Sequence, residues 1–156
     1  MTSVLFLCDD NAAVSVIAES ILRSIGGPRF ACHSTGVHPA PAIHPLVLDF
    51  LRDRHMPVGG LHPKPMRKFL AAGAPRFDFV IALSDLAAEE APARWGAGPV
   101  LAHWNVGGTD DALTEDALRD IFWALQRRIK IFASLPLASA PRRALQHRVK
   151  AIATWQ

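Results

Sequence analysis

The stretch from Val4 to Ser15 constrains this chain more than any other. Four consecutive apolar residues, Val4 to Leu7, run into Cys8. Six short or polar residues follow (Asp9, Asp10, Asn11, Ala12, Ala13 and Val14), and then Ile17, Ala18, Ile21, Leu22 and Ile25 recur at helical spacing. So short an apolar run reads as a strand covered on both faces. It is too short to cross a membrane, and no basic segment precedes it as a secretory signal would require. A strand, a tight loop and an amphipathic helix in that order place Cys8 against a helix N-terminus. There the helix dipole and free N–H groups favour a thiolate and can cradle an oxyanion.

The rest of the chain repeats the alternation. The first helix stops at Gly26 and Gly27. Phe30 to His33 predicts a second strand. Leu46, Val47, Phe50 and Leu51 line a second helix, opening at Pro45, a residue suited to a first turn. Phe77 to Leu83 is almost wholly apolar and predicts a central strand; Val100 to His103 predicts a fourth. Thr114 can cap a long helix whose first turn carries Glu115 and Asp116 and whose buried face is Leu118, Ile121, Phe122, Leu125, Ile129 and Phe132. A last helix from Pro141 puts Leu145, Val149 and Ile152 on one side. Strands separated by helical segments imply an α/β fold, a three-layer parallel sheet with helices on both faces. Ligands bind such sheets beyond the carboxyl ends of the strands, where Cys8 stands.

With 156 residues, half of them hydrophobic, residues 1–156 are expected to form one domain, 137–156 being a helical appendix packed on it. Two cysteines cannot build a disulfide framework, which points to the cytoplasm. The net charge is +3, and basic residues gather late: Arg127, Arg128, Lys130, Arg142, Arg143, Arg148 and Lys150. No aromatics or glycines interleave with them as stacking platforms, so they read as the solvated face of two helices rather than a nucleic-acid surface. Cys32 is expected in the core. Trp95, Trp123 and Trp155 are expected in the core or an interface, and each histidine singly in a loop or on the surface.

Further features extend the pattern: VLFLC with Asn11 and Ser15, Ser34-Thr35-Gly36 after the second strand, Ile43-His44-Pro45, Lys64-Pro65, FDFVIAL, His103-Trp104 and RRIKIFASLPL. Together they make the chain resemble the low-molecular-weight protein tyrosine phosphatase family, in particular its arsenate-reductase-like bacterial branch. The resemblance covers nearly the whole chain and implies a flavodoxin-like, four-stranded parallel sheet. In the family the loop is a cysteine, five residues, an arginine and a serine. The cysteine is the nucleophile, the arginine clamps the oxyanion, the serine steadies the thiolate, and a later Asp-Pro pair supplies the general acid. The resemblance makes Cys8 the candidate nucleophile, residues 9–15 (Asp9, Asp10, Asn11, Ala12, Ala13, Val14, Ser15) the ligand loop, and Ser34 a supporting hydroxyl.

The same comparison exposes what is missing. Val14 replaces the arginine, and Asp10 replaces a glycine. The general-acid segment reads HWNVGGTDDA, without Asp-Pro, so that Asp110 or Asp111 would have to serve. Ser84 and Ala91 occupy positions where thiol-relay reductases carry cysteines, and Ala13 leaves no thiol beside the nucleophile. Losing a transition-state arginine costs a phosphoryl transferase about 10³- to 10⁵-fold in rate. A carboxylate about 5 Å from a bound oxyanion opposes it by roughly 3 kcal/mol at an effective dielectric near 20. The first expectation is therefore a pseudoenzyme acting by binding or regulation. Its partners would be a small oxyanion or phosphorylated ligand, weakened by Asp9 and Asp10, or a protein that the sequence does not name; no membrane or cofactor is implied. A working cysteine-dependent phosphatase or arsenate reductase is the alternative, with Lys64 or a histidine replacing the arginine. A further alternative is a cation held by Cys8, Asp9 and Asp10 with His33 or His38.

Overall fold

The computed structural model describes residues 1–106 and 113–154. Four strands form one parallel sheet: β1 (Thr2–Cys8), β2 (Phe30–Gly36), β3 (Phe79–Ala82) and β4 (Val100–His103), in the order β2-β1-β3-β4. The helices are α1 (Val14–Gly26), α2 (Pro45–Asp53), α3 (Asp85–Trp95), α4 (Glu115–Ser134) and α5 (Arg142–Ala151). This is the parallel α/β sheet that the alternating pattern implied, in the flavodoxin-like, four-stranded form that the family resemblance implied.

Strand alternation divides the core. Val4, Phe6 and Cys8 of β1 face the layer of α1 and α4, together with Phe79 and Ile81 of β3. Leu5 and Leu7 face the opposite layer, with Met66, Phe69, Phe77 and two alanines of α3, Ala87 and Ala91. The period of two thus aims the Cys8 side chain at the start of α1 rather than into the opposite layer.

Several boundaries differ from the sequence expectation. β1 extends from Thr2 to Cys8 and β2 to Gly36, because their neighbours carry the ladder past the apolar residues, pairing Thr2 with Phe30 and Cys8 with Gly36. β3 is shorter than the apolar run 77–83, since β4 pairs with it only from Phe79 to Ala82. Helix α3 had no periodic signature. Only its two alanines are buried and Pro92 lies inside it, yet Ser84 caps it by accepting from the Ala87 N–H at 3.1 Å. Thr114 caps α4 through the Ala117 N–H, as its position suggested. In α5, Leu145 and Val149 are buried, and the Val149 carbonyl accepts from the Trp104 indole N–H at 3.0 Å.

Cys32 is half-buried rather than in the core, because β2 is an edge strand and one side of it has no strand neighbour. Trp123 is 50% exposed on α4, and Trp155 lies outside the described residues. Arg128 departs from the expected solvated face: it is buried, with its guanidinium on the Ala124 carbonyl. No helix among the described residues is long and apolar enough to cross a membrane.

Candidate active site

Cys8 ends β1, and the backbone turns through residues 9–13 into α1. Asn11 makes that turn possible. Its φ of 54° is left-handed, a conformation asparagine tolerates better than most residues. In it the Asn11 N–H points at the Cys8 sulfur, 3.3 Å away. The Asn11 amide donates to Ser15 Oγ at 2.8 Å and its Oδ1 accepts from the Lys64 N–H at 2.8 Å. Ser15 Oγ lies 2.8 Å from Cys8 Sγ; because that oxygen already accepts from Asn11, the hydroxyl hydrogen is free for the sulfur.

The segment after β2 seals the loop from below. Val37, His38 and Ala40 donate their N–H groups to the carbonyls of Cys8, Asp9 and Asp10 at 3.0, 2.7 and 2.9 Å. Gly36 allows this approach: a Cβ there would stand 2.9 Å from the Asp10 carbonyl carbon and 3.0 Å from the Asn11 nitrogen.

The two aspartates diverge. Asp9 is exposed and turns outward, accepting from the Ser84 hydroxyl at 2.5 Å. Asp10 folds back into the loop. Its Oδ1 accepts from the Ala12 N–H at 3.1 Å and sits 4.0 Å from Cys8 Sγ. A carboxylate of the chain itself thus takes one of the amides that an incoming oxyanion would use.

Val14 is 7% exposed and packs in the same core cluster as Cys8, Ala13 and Ile17. Ala13, the residue before α1, supplies no side-chain cap. Burial pushes the Cys8 thiol up, and the Asp10 charge adds to the rise. The bonds from Ser15 and the Asn11 N–H oppose it without prevailing. The balance of these effects raises the Cys8 pKa, the direction that disfavours a thiolate.

Beneath the loop lies a polar group that the sequence did not single out. Glu19 is fully buried on α1, four residues after Ser15 and four before Arg23. It accepts from the Ser34 hydroxyl at 2.6 Å, pairs with Arg23, and has the Lys64 ammonium 3.9 Å away. The i, i+4 spacing of Glu19 and Arg23 was the available signal. Ser34, expected as a supporting hydroxyl, gives that hydroxyl to Glu19 of α1. Lys64 supports the loop through its backbone, while its ammonium is taken by Glu19 and the His62 carbonyl at 2.8 Å. It is thereby committed away from the arginine's role suggested for it. Asp110 and Asp111 lie outside the described residues. Among the described residues no three histidine, cysteine or acidic side chains converge as metal ligands, so the cation alternative gains no geometric support.

The sequence of residues 3–102 matches the model of the low molecular weight phosphotyrosine protein phosphatase family. The chain belongs to that family. No curated protein matches it in sequence. Among solved structures it is similar to an arsenate reductase in a phosphate-binding state, with a TM-score of 0.71 and 21% identity over 86% of this chain and 98% of that one. A low molecular weight protein tyrosine phosphatase from Streptococcus pyogenes superposes with a TM-score of 0.68 and 16% identity, over 95% and 99% of the two chains. A thioredoxin-dependent arsenate reductase from Corynebacterium glutamicum shares 27% identity over 84% of this chain and 59% of its own, with a TM-score of 0.63. The first two likenesses carry the fold alone. In this chain Cys8, Asn11 and Ser15 are bonded to one another, and Val14 beside them is packed in the core.

Proposed function

We propose that this member of the phosphatase family is catalytically degenerate and acts by binding or regulation, with its loop closed by its own Asp10. The observation that carries the reading is the seat of that carboxylate, on the Ala12 N–H and 4.0 Å from the Cys8 sulfur. An oxyanion entering the loop would have to displace Asp10 and then sit beside its charge. It would meet no guanidinium, because Val14 is packed in the core. The nucleophile it would meet is a buried thiol whose pKa is raised. These effects act in the same direction. The missing arginine alone corresponds to about 10³- to 10⁵-fold in rate, and the thiol fraction multiplies the loss. Two unpaired thiols, Cys8 and Cys32, suit a reducing compartment, in keeping with a cytoplasmic setting.

A second reading, an enzyme with residual cysteine chemistry, has one observation in its favour. The contacts from Ser15 and the Asn11 N–H are the ones a thiolate would need. They fail to outweigh burial and Asp10. The test is restoration: Val14→Arg with Asp10→Gly, assayed on p-nitrophenyl phosphate. The degenerate reading expects turnover in the double variant well above the wild type, abolished by Cys8→Ser. A folded double variant with no gain refutes it.

A further inference from the structure

We propose that a second cavity, at the outer edge of β2, binds a small phosphate-type dianion, either free or as the phosphate group of a larger molecule. None of residues 8–15 lines it. The cavity has a volume of about 330 Å³, within the range of roughly 300 to 1,000 Å³ typical of ligand pockets. Arg23, Lys64 and Lys68 line it together with His33 and His62, and Glu19 is the single carboxylate in its wall.

The charges do not balance. Glu19 is shared between Arg23 and Lys64, so one of those two cations has no counter-charge. Arg23 also donates to the Gly59 carbonyl at 2.7 Å and Lys64 to the His62 carbonyl at 2.8 Å. Such carbonyls orient the two groups without neutralising them. Lys68 is exposed at the cavity and forms no ion pair among the described residues. Arg23, Lys64 and Lys68 set against Glu19 leave the lining a surplus of two positive charges that a dianion would match. Burial is the main cause that lowers the His33 pKa; Glu19 raises it, and Lys64, Arg23 and Lys68 each lower it by less. One wall is apolar, with His33 edge-on to Phe69 at 5.5 Å between ring centres, and such walls concentrate a field rather than screen it. The site also adjoins the loop brace, because Lys64, one of its lining residues, donates its backbone N–H to Asn11.

Thermal unfolding against inorganic phosphate, with sodium chloride at matched ionic strength as the reference, tests the site. Phosphate should raise the melting temperature of the wild type in a saturable way. Lys68→Glu, at an exposed and unpaired position, should move the titration midpoint up by about tenfold or more, and Lys68→Arg should leave it near the wild-type value. No phosphate-specific rise, or a midpoint unmoved by Lys68→Glu, overturns the proposal. So does protection of Cys8 from iodoacetamide at the same midpoint in a Cys32→Ser background, because that places the anion in the loop. Phosphatase turnover plays no part in these readouts, so failure here is distinct from failure of the degenerate-loop reading.

Discussion

Replacing Asp10 by asparagine should lower the Cys8 pKa. Asp10 Oδ1 stands 4.0 Å from the sulfur. A unit charge at that distance opposes a thiolate by about 1 kcal/mol at the dielectric of water and about 4 kcal/mol at an effective dielectric near 20. Asp10 is half-exposed, so solvent holds the interaction toward the lower end of that range. Asparagine keeps an oxygen for the Ala12 N–H, which confines the change to charge. Burial is the largest cause of the raised pKa, so the variant's Cys8 should still titrate above an ordinary thiol. The assay is the pH dependence of iodoacetamide alkylation at Cys8 in a Cys32→Ser background. An unchanged pKa would mean that the carboxylate is not beside the sulfur. A fall below the ordinary thiol range would mean that burial is not the dominant effect.

Asn11→Ala leaves the buried Lys64 N–H without its acceptor and forces alanine into a left-handed turn. A loss of about 2–4 kcal/mol in denaturant-measured stability is expected, and a loss under 1 kcal/mol would contradict the bracing role. Gly36→Ala pushes a Cβ onto backbone atoms of Asp10 and Asn11. It should cost about 1–3 kcal/mol and speed alkylation of Cys8 as the loop is displaced; an unaltered alkylation rate would count against that contact. Burial between Phe69 and Phe77 lowers the His33 pKa. Its contribution to stability is therefore complete above the ordinary histidine value of about 6.5 and is lost as pH falls from there through the lower folded value. His33→Gln should destabilise the protein at pH 7.5 by a margin that narrows at pH 5. A margin that widens in acid reverses the sign and refutes the assignment.

The sheet and most helices were legible because their signals are local. β1 and β4 announce themselves as apolar runs, and α4 carries an apolar stripe with a threonine cap. Helix α3 escaped because two alanines are enough to cover its side of the sheet, and alanines leave no periodic mark. The ends of β2 and β3 depend on where neighbouring strands pair, which no short window contains. At the loop, residue types identified Cys8, Asn11 and Ser15 as a unit. Side-chain direction was not legible: Asp9 and Asp10 are chemically identical, yet one reaches Ser84 and the other turns back to Ala12, because the left-handed turn at Asn11 lies between Asp10 and that amide. Beyond its i, i+4 pairing with Arg23, the Glu19 group joins α1, β2 and the segment at Lys64, and that part was not legible until those elements were assembled.

Hydrolysis of p-nitrophenyl phosphate by the wild type beside Cys8→Ser, from acidic to neutral pH, tests the closed loop most directly. The proposed degenerate loop, with Asp10 on the Ala12 N–H, Val14 in the core and a thiol of raised pKa, predicts no turnover that separates the two proteins. Turnover in the wild type that vanishes in Cys8→Ser would contradict it, and would mean that Asp10 leaves the loop and that another cation stands in for the arginine.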